Sequence, residues 1–141
     1  MKKIMVFALS ALSALCAWAG SYEVKSPDGA LSAKISDGES LKFSVFKDGS
    51  PLLENCEISM STSKGVFGKN ARASETEKSS KKEVLDAKFF IKSKVENNYN
   101  ELVLRFKRYS VVFRAYNDAV CYRFMAGFGK GETLIVNSET L

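Results

Sequence analysis

Residues 98–124 read NYNELVLRFKRYSVVFRAYNDAVCYRF, and their reading decides the fold. Three short runs alternate apolar and polar residues. The first sets Leu102, Leu104 and Phe106 against Val103, Arg105 and Lys107. The second sets Val111, Phe113 and Ala115 against Val112, Arg114 and Tyr116, and the third Val120, Tyr122 and Phe124 against Cys121, Arg123 and Met125. A period of two places one face of each run in a core and the other outside, which is the pattern of β-strands. Asn117-Asp118 is a turn pair, so runs two and three are expected to form a hairpin.

The same grammar runs through the N-terminal half. Ser26-Pro27-Asp28-Gly29 is a turn, and Leu31, Ala33 and Ile35 alternate after it. Asp37-Gly38 leads into Leu41, Phe43 and Val45, and Asp48-Gly49 into Pro51-Leu52-Leu53. Glycine supplies the positive φ that tight hairpins need, and aspartate tolerates it. Residues 63–82 break the pattern: few are large and apolar, and Ser, Glu and Lys dominate, so a long loop is expected. Strand character resumes from Val84 to Val95, with Phe89 and Ile91 on one face and Phe90 on the other. Glu132 to Asn137 reads as a last strand, close to the end of the sequence. No amphipathic helix intervenes, so an all-β antiparallel β-sandwich is expected.

Residues 1–19 read as an export signal. Lys2 and Lys3 form a basic start, Ile4 to Leu15 are apolar or small, and Ala17-Trp18-Ala19 is an A-x-A cleavage site that makes Gly20 the mature start. The apolar run is too short to span a bilayer, and no later segment could. The expected location is the bacterial periplasm. A lipid anchor at Cys16 is disfavoured, because Leu15 stands where a small residue is wanted. Residues 20–141 then form one domain of sandwich size. Losing Lys2 and Lys3 lowers the net charge from +5 to +3. Lys78, Lys81 and Lys82 are interrupted by serines and followed by Glu83, which reads as a solvated segment rather than a nucleic-acid stripe. Cys56 and Cys121 remain after export. They could form one disulfide in an oxidising compartment or stay as two thiols packed like small apolar residues.

The chemistry-bearing residues exclude more than they assign. The absence of histidine rules out Ser-His-Asp and Cys-His mechanisms and histidine metal sites. Gly127, Gly129 and Gly131 lack a following helix and read as a turn. Glycoside hydrolysis needs two carboxylates flanking one bond. Glu101, Asp118, Glu132 and Glu139 are available, but their spacing pairs no two of them. Trp18 leaves with the signal, so sugar stacking would fall to the tyrosines; Tyr122 belongs to the core face and Tyr116 lies beside Arg114 on the other. Arg114 and Arg123 can pair with Glu101 or Asp118, as a surface ion pair or as part of a polar docking surface. Arg114, Tyr116, Asn117, Asp118 and Arg123 are therefore the candidate domain-docking or sugar-contact residues.

Two stretches together resemble the N-terminal domain of glycoside hydrolase family 97. One is Tyr99-Asn100-Glu101-Leu102 and Leu104-Arg105-Phe106, followed by Phe113-Arg114-Ala115-Tyr116-Asn117-Asp118 and Tyr122-Arg123-Phe124. The other is the opening meander from Ser26-Pro27-Asp28-Gly29 to Asp48-Gly49 and Pro51-Leu52-Leu53. Residues 68–82 depart from the family, being Lys- and Ser-rich, and Ala119-Val120-Cys121 replaces its common G-V-A. The resemblance implies part of a supersandwich, galactose-mutarotase-like, incomplete at its C-terminal end. It implies packing on a catalytic (β/α)8 barrel of the same parent chain and shaping of the entrance for an oligosaccharide substrate. In such enzymes the barrel cleaves α-glucosides or α-galactosides with carboxylates and a bound calcium. Those groups map outside residues 1–141, so the resemblance assigns no catalytic residue, cofactor or metal ligand here. A free-standing periplasmic carbohydrate-binding module and an inert gene fragment remain the alternatives.

Overall fold

The computed structural model describes residues 20–86 and 94–141. Eleven strands occur among them: β1 (Ser21–Lys25), β2 (Leu31–Ser36), β3 (Gly38–Lys47), β4 (Ser50–Thr62), β5 (Gly65–Phe67), β6 (Lys69–Ala71), β7 (Glu75–Asp86), β8 (Lys94–Arg105), β9 (Tyr109–Ala115), β10 (Val120–Ala126) and β11 (Val136–Thr140). Their registered pairings are antiparallel. One sheet runs β1-β2-β3-β4-β11, with β5 on β4 and β6 on β3; the other runs β10-β9-β8-β7.

The alternating residues meet between the sheets. Ala33, Ile35, Leu41, Phe43, Val45 and Ile58 from the larger sheet face Leu102, Leu104, Val111, Phe113 and Ala115 from the smaller. Phe113 is wholly buried, with the Phe43 ring at 5.8 Å and the Tyr122 ring at 5.9 Å. Burying such side chains is worth about 1.5–3 kcal/mol each, and this drives the sheets together. Asp48 (φ 48°) and Gly49 (φ 81°) give the β3–β4 turn two consecutive positive φ angles, the mark of a type I′ hairpin. The β9–β10 hairpin forms as expected, pairing Ala115 with Val120 and Phe113 with Tyr122. Tyr122 lies towards the core and its hydroxyl donates to Glu139 at 3.1 Å.

Several expectations are corrected. Residues 63–82 are mostly strand, forming β5, β6 and most of β7. β7 pairs with β8 from Glu75↔Arg105 to Asp86↔Lys94, so backbone hydrogen bonds hold it without an apolar face. It is also a sheet edge, where lysines deter pairing with other chains. β8 starts at Lys94 and so includes Glu101. The last strand is Val136–Thr140, not Glu132–Asn137: the chain turns through Gly129 and Gly131 before joining β4. Val84 and Val95 fall in β7 and β8, whereas Phe89, Phe90 and Ile91 lie outside the described residues. Cys56 and Cys121 are both free thiols in the structure. Cys56 packs against the core, while Cys121 is exposed opposite Arg114, on the outward side of β10.

Candidate functional site

The outer face of the smaller sheet carries the candidate residues. Because Val111, Phe113 and Ala115 point inward, Arg114 must point outward, and the β8–β9 register sets it opposite Glu101. Its Nε donates to Glu101 Oε2 at 2.6 Å, with both side chains less than a third exposed. Tyr99 precedes Glu101 by two residues, so it shares that face. The Arg114 guanidinium carbon lies 4.4 Å above the Tyr99 ring centre, and the Tyr116 ring lies 5.2 Å away. Tyr99 is 6% exposed although it faces away from the core. A cation over a tyrosine face adds about 0.5–1 kcal/mol at such a site. The hydrogen bond that Arg114 donates to Glu101 raises its pKa above the ordinary value against the opposing effect of burial, and Tyr116 assists.

β7 extends the cluster. Lys81 pairs in register with Tyr99 and sits 2.9 Å from Glu83, which accepts from Asn97 Nδ2 at 2.6 Å. That contact raises the Lys81 pKa and lowers that of Glu83. Asn117 is committed elsewhere: its Oδ1 accepts the Asp28 N–H at 3.1 Å, tying the 116–119 loop to the first turn. Asp118 and Arg123 are exposed and lie outside the cluster; Arg123 stands opposite Val112. Arg114 and Tyr116 are thus brought together, and Asn117, Asp118 and Arg123 are not. Sequence reading left Tyr99 among the tyrosines open to sugar stacking and missed Lys81, Glu83 and Asn97. The step of two from Tyr99 to Glu101 signals a shared face, whereas Lys81 and Glu83 become visible only once 75–86 is known to be a strand.

The carboxylates are dispersed. Glu101 is held by Arg114, Glu132 by Lys64 at 3.1 Å, and Glu139 by Tyr122. Asp28, Glu57 and Glu83 are carboxyl groups whose ionisation is displaced. Each is lowered, chiefly by hydrogen bonds from Ser26, Lys69 and Lys81 respectively. A general acid of glycoside hydrolysis needs the opposite shift. Among the described residues no three His, Cys, Asp or Glu side chains cluster as metal ligands.

Two of the concavities among the described residues bear on the site. One of about 400 Å³ lies where β1 meets β7 and β8, with Lys25, Ser80, Asn100 and Glu101 in its wall. Two of its polar side chains are already engaged: Asn100 Nδ2 donates to Lys25 O at 2.8 Å, and Ser80 Oγ to Asn100 Oδ1 at 2.7 Å. The other, of about 310 Å³, has Phe67, Phe106 and Tyr109 beside Lys69, Arg72 and Arg108. Tyr109 is stacked between the two phenylalanine rings, 4.4 and 4.7 Å away, so its faces are not free for a sugar.

Two antiparallel sheets closed over one core, with an ordered polar cluster on the outside of the smaller sheet, define a β-sandwich domain. The glycosyl-hydrolase 97 N-terminal family model matches residues 24–141, and the chain belongs to that family. It is 38% identical over 128 residues to a retaining α-galactosidase of Bacteroides thetaiotaomicron, covering 89% of this chain and 19% of that protein. A glycoside hydrolase family 97 enzyme of a Pseudoalteromonas species, solved with panose, superposes with a TM-score of 0.75 at 19% identity, over 84% of this chain and 20% of that one. A β-arabinopyranosidase superposes with a TM-score of 0.76 at 24% identity, over the same shares. These two likenesses establish the fold. The chain spans about a fifth of the length of these relatives.

Proposed function

We propose that the chain serves as the non-catalytic N-terminal β-sandwich of an exported, periplasmic glycosidase acting on α-galactosides or α-glucosides. It packs on the catalytic barrel of the same parent chain and shapes the entrance for the oligosaccharide. The observation that carries this reading is the N-terminal family match over 24–141, joined to 38% identity with a stretch covering about a fifth of an α-galactosidase's length. The surface chemistry supports it. β9 pairs with β8 only from Asn100 to Arg105, so residues 81–86 and 94–99 form a ribbon without a third strand. Val84, Leu85 and Val95 are exposed on it, apolar surface that a neighbouring domain would cover. The Arg114–Glu101–Tyr99–Tyr116 cluster stands at its base, with side chains already held in place for a polar contact. Catalysis stays with the barrel in this reading, since the described carboxylates are scattered, and Asp28, Glu57 and Glu83 are shifted towards the ionised form. The purified chain is expected to release no nitrophenol from aryl α-galactosides or α-glucosides. Turnover that survives repurification and is lost in a Glu101→Gln variant would overturn the proposal.

A further inference from the structure

Asp37 is 4% exposed, and no Lys or Arg among the described residues forms an ion pair with it. Its carboxylate is nonetheless fully engaged. Oδ1 accepts from the backbone nitrogen of Gly20 at 2.6 Å, and Oδ2 accepts from the Tyr22 hydroxyl at 3.0 Å and the Ala73 N–H at 2.8 Å. The contact with Gly20 is reciprocal, since the Asp37 N–H donates to Gly20 O at 3.2 Å. A methyl group at position 20 would meet the Tyr22 hydroxyl, so glycine suits this seat. Buried carboxylates ordinarily have a cationic partner. Here the closest group is a backbone nitrogen, one residue beyond the A-x-A cleavage pattern of Ala17-Trp18-Ala19.

We infer that Asp37 is the receptor for the new N-terminus created by export processing. The inference rests on the export reading above. Hydrolysis of the Ala19–Gly20 bond adds water: the oxygen joins the Ala19 carboxylate, the C–N bond breaks, and Gly20 nitrogen leaves as an amine that is protonated at neutral pH. That α-ammonium forms where the amide already bonds Oδ1. Removal of the leader thereby supplies the missing counter-charge and turns a hydrogen bond from a neutral amide into an ion pair. Asp37 also holds Ala73 and, through Tyr22, β1. The mature N-terminus would thus clamp the first strand and the segment after β6.

The test expresses the whole chain with its leader in an exporting bacterium, as wild type and with a serine inserted between Ala19 and Gly20. The insertion keeps the cleavage site but moves the α-ammonium about 3.8 Å along the chain. Mass spectrometry should find Gly20 first in the wild type. The insertion should lower the Tm by about 5 °C or more, and that difference should vanish between matched chains carrying Asp37→Asn. Should the Asn variant fail to fold, chemical acetylation of the wild-type α-amine should reproduce the loss caused by the insertion. Processing at Gly20 with an unchanged Tm on insertion would overturn the receptor role and leave export standing. An uncleaved, unexported chain would overturn both.

Discussion

Phe113→Ala probes the sandwich at its centre. Phe113 is fully buried on β9, an interior strand of the smaller sheet, and its ring meets Phe43 across the core and Tyr122 on the neighbouring strand. Truncating a buried phenylalanine costs about 3–5 kcal/mol, and the loss of two aromatic contacts places this site near the top of that range. Phe124 is a fair control. It continues the same alternation on β10, but β10 is an edge strand and the residue is only half-buried. Phe124→Ala should cost about half as much, roughly 2 kcal/mol. Urea unfolding followed by far-UV circular dichroism measures both. The Phe113→Ala midpoint in a thermal scan should fall by about 15–20 °C, taking ~4 °C per kcal/mol for a domain of this size. Equal losses at the two sites, or a loss below about 1.5 kcal/mol at Phe113, would refute the placement of β9 between β8 and β10 with its alternate residues in the core.

Other consequences follow from single residues. Gly68 has φ 84° and packs on the Ile58 carbonyl, so Gly68→Ala should destabilise by about 2 kcal/mol or more in the same unfolding assay. Tyr109→Phe removes the acceptor for the buried Gly68 N–H and should cost about 1–3 kcal/mol, with chemical denaturation as the check. Thiol titration of the processed chain, which lacks Cys16, should find two reactive groups without reductant after unfolding, and in the native protein Cys121 should react well before Cys56. Asp28, Glu57 and Glu83 ionise more readily folded than unfolded. Their contribution is present above the ordinary carboxylate range near pH 4 and disappears as pH falls through their lowered folded values. The Tm should accordingly fall between about pH 5 and pH 2, and replacing all three by their amides should flatten that decline.

The fold was legible wherever one face of a strand is buried. Leu102, Leu104, Val111, Phe113 and Ala115 announce β8 and β9 because each must enter the core while its neighbours stay out. β7 was illegible for the opposite reason. As an edge strand it is exposed along nearly its whole length, so burial imposes no period on Thr76 to Leu85 and backbone pairing alone sets its register. Val136–Thr140 is likewise exposed throughout, which hid the true limits of β11 behind the apolar Leu134 and Ile135. The candidate site was half legible. Arg114 with Glu101 could be read from alternation and hairpin geometry, but Asn117 could not be assigned to Asp28, which lies 89 residues away in the chain.

Placing this sandwich on a catalytic barrel is tested most directly by reading the source DNA past the codon for Leu141. The predicted result is an open frame of about 250 residues or more, with strands and helices alternating as a (β/α)8 barrel requires. A stop codon at once, with no in-frame continuation nearby, would contradict the assignment to a glycosidase and leave a domain that acts without a barrel of its own.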